Sequence, residues 1–186
     1  MNDQQFHRQF VCQRNESLNS IDYTLINFYL FLLTTKLVVH CGVSKMTDNL
    51  KIETKAFGNE YTNPDVNGCV PKCDTKVVDE QKCKCITTEI NVKKVCEKVS
   101  QCCKNGNIKL DAQPSTNAGR YLCEYIYFAS LNQNCRRTVF IHVPELSEQC
   151  SAADIAAAIK CSIEAILEEM CISAQNENSE KSALRM

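Results

Sequence analysis

The chain has 186 residues and a formal net charge of −1. That is enough length for one α/β domain with its own core, and the charge gives no electrostatic case for nucleic acid or an anionic membrane surface. Fourteen cysteines raise the question of extracellular disulfides. Against this, Met1-Asn2-Asp3-Gln4-Gln5 lacks the basic start and apolar run of a signal peptide, and disulfide scaffolds are usually much smaller chains. Cys96, Cys103, Cys161 and Cys171 also fall at helix-periodic positions, where a thiol packs as a small hydrophobe. These features predict a reduced, cytosolic protein.

Residues 1–36 form a divergent N-terminal segment, of which 1–20 are polar and read as a poorly ordered arm. Leu25 to Leu33 is apolar, but these nine residues fall short of the ~20 that span a bilayer. They read as a buried helix leading into a strand. Leu37 to Ser44 is a short β-branched run suited to a central strand buried on both faces. Leu50 to Thr54 alternates like a half-exposed strand. Residues 58–85, with Gly58, Pro64, Gly68 and Pro71, suggest a long surface loop.

Asn91 to Lys104 aligns Val92, Val95, Cys96, Val99 and Cys103 on one helical face, with Gly106 at the C-terminal cap. A short strand is expected at Asn107 to Leu110. Ser115, Thr116 and Asn117 are candidate N-caps for a helix reaching about Asn132. Thr138 to Val143 reads as a strand ended by Pro144. Ser151-Ala152-Ala153-Asp154 begins an amphipathic helix marked by Ile155, Ile159, Ile163, Ile166 and Met170. Strands alternating with helices predict a three-layer α/β/α fold around a mainly parallel sheet, spanning 37–175 and followed by a flexible tail at 176–186.

Two segments carry chemistry. In Asn117-Ala118-Gly119-Arg120-Tyr121-Leu122-Cys123-Glu124-Tyr125, Cys123 is expected in the second turn of its helix. There the field of the helix N-terminus favours thiolate over thiol, and Arg120 adds positive charge. In Phe140-Ile141-His142-Val143-Pro144, His142 stands at the carboxyl end of a strand, the edge where sites assemble in open α/β sheets. The chain has only three histidines, His7, His40 and His142, so few bases are available. Taken singly, Cys123 could be inert packing and His142 a core residue; together they suit a Cys–His couple. Cys69, Cys73, Cys83 and Cys85 offer four thiolates within seventeen residues, a zinc alternative at a spacing unlike the common modules. Vicinal Cys102 and Cys103 suggest redox sensing more weakly.

Residues 117–125, Ala129-Ser130-Leu131 and 140–144 resemble the pyroglutamyl-peptidase I (pyrrolidone-carboxylate peptidase) family of cysteine peptidases. So do Leu37 to Ser44 and the helix from Ile163 to Met170. The resemblance covers roughly residues 37–170. It implies removal of N-terminal pyroglutamate from peptides by Cys123 as nucleophile, His142 as general base and Glu53 as the acidic third member. No cofactor or metal is expected. Read from local pattern alone, Glu53 is an ordinary solvent-facing strand residue. The family's Gly-Phe-x-Pro-Phe-Gly loop, whose aromatic residues help form the pyroglutamyl pocket, has no counterpart here. The resemblance therefore implies an N-terminally divergent or truncated member with a missing or altered first strand. A non-catalytic relative with a binding or vestigial role is the alternative.

Overall fold

A computed structural model describes residues 36–58, 61–64, 68 and 85–183. The apolar run at 25–33 and three of the four clustered cysteines, Cys69, Cys73 and Cys83, lie outside them. The chain order is β1 (Val38–Val43), β2 (Leu50–Glu53), β3 (Lys55–Phe57), β4 (Cys85–Thr87), α1 (Val92–Asn105), β5 (Ala112–Ser115), α2 (Leu122–Asn134), β6 (Thr138–Val143) and α3 (Ala152–Ala183). Four strands form one sheet in the order β1-β6-β2-β5, and β3 pairs with β4 in a two-stranded ribbon. In the main sheet β1 runs parallel to β6, and β2 parallel to β5. The central β6–β2 pair is antiparallel. The sheet is thus mainly parallel, with one reversal at its centre.

Strand periodicity divides the layers. Val139, Ile141 and Val143 of β6, with Leu50 and Ile52 of β2, pack against Val95, Val99 and Cys103 of α1 and Ala158, Ala165 and Ile166 of α3. Phe140 of β6 points the other way, into a second cluster with Ala56, Tyr127, Phe128 and Leu131 under α2. One sheet sandwiched between α1/α3 and α2 is the expected three-layer α/β/α arrangement.

Local signals explain the ends. The Asn91 side chain caps α1 by accepting from the Lys94 N–H, and the Gly106 N–H closes the other end on the Cys102 carbonyl. The left-handed residue that turns the chain there is Asn107, at φ 55°. Ser151 and Asp154 form the reciprocal box that starts α3.

Four local expectations are corrected. β1 is an edge strand, half-buried and exposed by turns rather than buried on both faces. β2 is almost wholly buried, because β6 and β5 flank it and helices cover it. The strand after α1 is Ala112–Ser115 instead of 107–110. α2 begins at Leu122 because Gly119 and Arg120 both adopt left-handed backbone, at φ 98° and 52°. Ser115 and Asn117 serve the preceding turn: the Asn117 N–H donates to Ser115 Oγ and the Gly119 N–H to Asn117 Oδ1.

The cysteine reading also changes in part. Cys96 and Cys103 are buried free thiols as expected, but Cys171 is exposed. Cys161 is bonded to Cys102, which joins α3 to α1 across 59 residues of sequence. Closing a loop of that size stabilises the fold by about 4 kcal/mol in the chain-entropy account. Reductant should therefore lower the melting temperature of the oxidised protein by roughly 10 °C. Thermal denaturation of Cys102→Ser should give a similar loss that reductant does not deepen.

Candidate active site

Cys123, His142 and Glu53 come from α2, β6 and β2, and the fold brings all three together. Register explains the sheet half of the group. Across the antiparallel pair Glu53 lies opposite Phe140, and Lys51 opposite His142. Glu53 and His142 are therefore diagonal neighbours on one face, a separation that a long side chain can bridge. Glu53 Oε1 meets His142 Nδ1 at 2.9 Å in the interior. Glu53 is only 1% exposed, so it is not the solvent-facing residue that local pattern suggested. Its other oxygen, Oε2, has no hydrogen-bond partner among the described residues. A buried carboxylate satisfied so sparsely favours a cation beside it.

His142 answers that demand. Burial by itself lowers the imidazole pKa. Hydrogen bonds to Cys123 and Glu53, together with the negative charge of both partners, outweigh it and raise the value to about 9. Cys123 also lies within hydrogen-bonding reach of the ring. The arrangement favours imidazolium between Glu53 and Cys123.

The helix half depends on where α2 starts. With Leu122 as the first helical residue, Cys123 lies in the first turn, not the second, where the macrodipole is strongest. The N-cap residue Tyr121 makes no side-chain capping bond, so no side chain of its own occupies the N–H groups of that turn. Arg120 does not direct its charge at Cys123 as expected: its guanidinium is paired with Glu124 at 2.7 Å.

Sequence reasoning missed Gly42. It is the residue of β1 that lies beside His142 in the parallel register. A Cβ at Gly42 would come within 2.9 Å of Phe140 Cζ and 3.0 Å of Cys123 Sγ. The bare strand at that point makes room for the thiol. A glycine inside a β-branched run was the available signal, since glycine in a strand often marks close approach.

Of the other histidines, His7 lies outside the described residues. His40 is held by Ser130 Oγ at 2.8 Å and stacked near Phe140; burial pushes its pKa down to about 4. It is a neutral packing residue at physiological pH. The zinc alternative reduces to Cys85 within the described residues, which contain no group of three metal-ligating side chains. No helix among them is long and apolar enough to cross a membrane.

This fold is shared with solved structures. The chain superimposes on pyrrolidone carboxyl peptidase from Pyrococcus furiosus with a TM-score of 0.63, at 23% identity over 79% of this chain and 76% of that one. The match to pyroglutamyl peptidase I from Bacillus amyloliquefaciens has a TM-score of 0.59, at 17% identity over 77% and 71%. In sequence, residues 7–147 match the family model described as "Putative pyroglutamyl peptidase PgaPase_1". The chain belongs to that family. The match begins well ahead of Leu37 and takes in most of the segment that the motifs alone mark as divergent. Among curated relatives, pyroglutamyl-peptidase 1 of Homo sapiens is 31% identical over 72% of this chain and 61% of its own length. The Mus musculus protein is 32% identical over 73% and 60%. The chain thus spans about three fifths of the length of these relatives.

Because the His142 pKa is raised from 6.5 to about 9, its pairing contributes stability in full below about 6.5, and that contribution is lost as pH rises through about 9. NMR titration of the ring should place its midpoint near 9, and Glu53→Gln should lower it by one unit or more, roughly the effect of a close opposite charge. A Glu53→Gln midpoint still near 9 would contradict the pairing.

Proposed function

We propose that this chain is a cysteine-type omega-peptidase that removes N-terminal pyroglutamate from peptides, with Cys123 as nucleophile, His142 as base and acid, and Glu53 as orienting carboxylate. The observation that carries the reading is His142 bonded at Nδ1 to a buried Glu53 and coupled to Cys123 in the first turn of α2. Family membership supplies the substrate class.

The chemistry follows from the positions. The Cys123 thiolate attacks the pyroglutamyl carbonyl carbon, and the carbonyl electron pair moves onto oxygen. Cys123 stands in the first α2 turn, so N–H groups of that turn are the candidate donors to the oxyanion, and the helix dipole favours it. Collapse of the intermediate expels the peptide amine, which takes a proton from His142. A thioester to Cys123 remains. Neutral His142 then accepts a proton from water, hydroxide adds to the thioester, and pyroglutamate leaves as the thiolate reforms. Glu53 keeps the imidazole oriented and stabilises its charged form twice in the cycle.

A thiol nucleophile and the free cysteines Cys41, Cys85, Cys96, Cys103, Cys135, Cys150 and Cys171 suit a reducing compartment. We accordingly place the protein in the cytosol, with the Cys102–Cys161 bond closing only under oxidation. A second reading, a non-catalytic binding relative, is favoured by one observation: residues 1–186 contain no Gly-Phe-x-Pro-Phe-Gly segment to grip the ring.

Hydrolysis of a pyroglutamyl-aminocoumarin by purified protein separates the two. The enzyme should release coumarin, and Cys123→Ala should abolish it, with a loss on the order of 10³-fold or more. Gly42→Ala, which crowds the thiol and Phe140, should lower turnover by roughly 10²-fold while the fold persists by circular dichroism. Coumarin release no greater than in Cys123→Ala would leave the binding reading standing.

A further inference from the structure

Beside the nucleophile lies a second buried carboxylate that the proposed reaction does not use. Glu124 follows Cys123 in the chain and is 0% exposed, an unusual place for a charged side chain. Its partners come from two other segments. Both of its oxygens accept from Arg120 Nη1 at 2.7 Å. Oε2 also accepts from the Arg120 backbone N–H at 2.8 Å. Oε1 accepts from the Phe57 backbone N–H at 3.1 Å, at the end of β3. The Arg120 guanidinium in turn lies 3.8 Å over the Phe57 ring. Tyr61 continues the connection, since its hydroxyl donates to the Phe57 carbonyl.

Arg120 is a non-glycine residue at φ 52°, a conformation that persists only where surroundings impose it. The carboxylate supplies that constraint, since it holds both the backbone and the side chain of the strained residue. The strain ends the turn and lets α2 begin at Leu122, which sets Cys123 in the first turn.

We propose that Glu124 is the positioning residue of the nucleophile: its buried carboxylate fastens the left-handed turn at Arg120 and the tip of β3 to the start of α2, and so fixes where Cys123 stands. The proposal rests on the reading of Cys123 as nucleophile. Arg120 has a linked task. An unpaired anion one residue along the chain from Cys123 would oppose a thiolate there, and the guanidinium cancels it.

That charge balance gives opposite signs for opposite deletions. In Glu124→Gln the Arg120 cation is left uncompensated, so the thiolate forms more readily. In Arg120→Met the Glu124 anion is left uncompensated, so it forms less readily. A merely structural role would not split the two in direction.

The test measures iodoacetamide alkylation of Cys123 by mass spectrometry across pH, beside pyroglutamyl-aminocoumarin turnover, on the full chain. In the unsubstituted protein, alkylation at neutral pH should depend on His142 and fall in His142→Ala. Absence of that dependence overturns the nucleophile reading, and the proposal with it. Given that dependence, Glu124→Gln should shift the alkylation profile to lower pH and Arg120→Met to higher pH, each by roughly one unit. The double variant Arg120→Met/Glu124→Gln leaves no buried charge unpaired, so it decides the matter where a single variant does not fold. Its alkylation profile should return to that of the unsubstituted protein, while kcat stays down on the order of 10²-fold with KM little changed. Single-variant profiles that do not move, or a double variant with full turnover, would overturn the positioning role alone.

Discussion

The site hangs on a carboxylate placed where water cannot reach it. Glu53 is buried in β2, with a backbone carbonyl that receives the Tyr127 hydroxyl and a side chain that reaches diagonally to His142. An uncompensated charge there would cost several kcal/mol. The fold avoids that cost by keeping the neighbouring imidazole protonated. Two features of the site are consequences of this one demand: the raised His142 pKa and the need for a strand pair in this register. Aspartate would be shorter by one methylene, and the diagonal spacing of an antiparallel pair calls for the longer acid.

That pairing also gives meaning to the reversal in the sheet. Were β2 parallel to β6, its hydrogen-bond ladder would slant and the partner of His142 would change. The antiparallel β6–β2 pair sets Lys51, not Glu53, directly across from His142. Lys51 turns to Gln113 on β5, to which its ammonium donates at 2.6 Å. The diagonal position is left to Glu53.

How much of this was legible depends on how local each signal is. α1 could be read entirely from its sequence, since apolar period, asparagine cap and closing glycine agree. β6 and the Ser151–Asp154 box were equally local. The start of α2 was not, because serine, threonine and asparagine serve turns as readily as helices and nothing nearby announces that Arg120 will be left-handed. β1 looked central because its residues are β-branched, yet burial is decided by which strands flank it. Cys123 and His142 stood out by type and position. Glu53 was found through family resemblance alone, since the alternation of β2 reads as half-exposed until β6 and β5 enclose it. Glu124 was passed over because an acid in a first helical turn is ordinary on a surface; only the tertiary structure shows that it is inside. The Cys102–Cys161 bond joins distant segments, and spacing does not forecast such pairs.

The proposed nucleophile and base belong to different layers. Cys123 travels with α2, whereas His142 and Glu53 travel with the sheet, and Phe140, Tyr127 and Leu131 pack the interface of the two layers. The thickness of that apolar filling is therefore a ruler for the separation of Cys123 from His142. A methylene removed from Leu131 or added near Phe140 changes a gap rather than a ligand, so the Cys123–His142 spacing can be retuned through apolar residues that carry none of the site's polar groups.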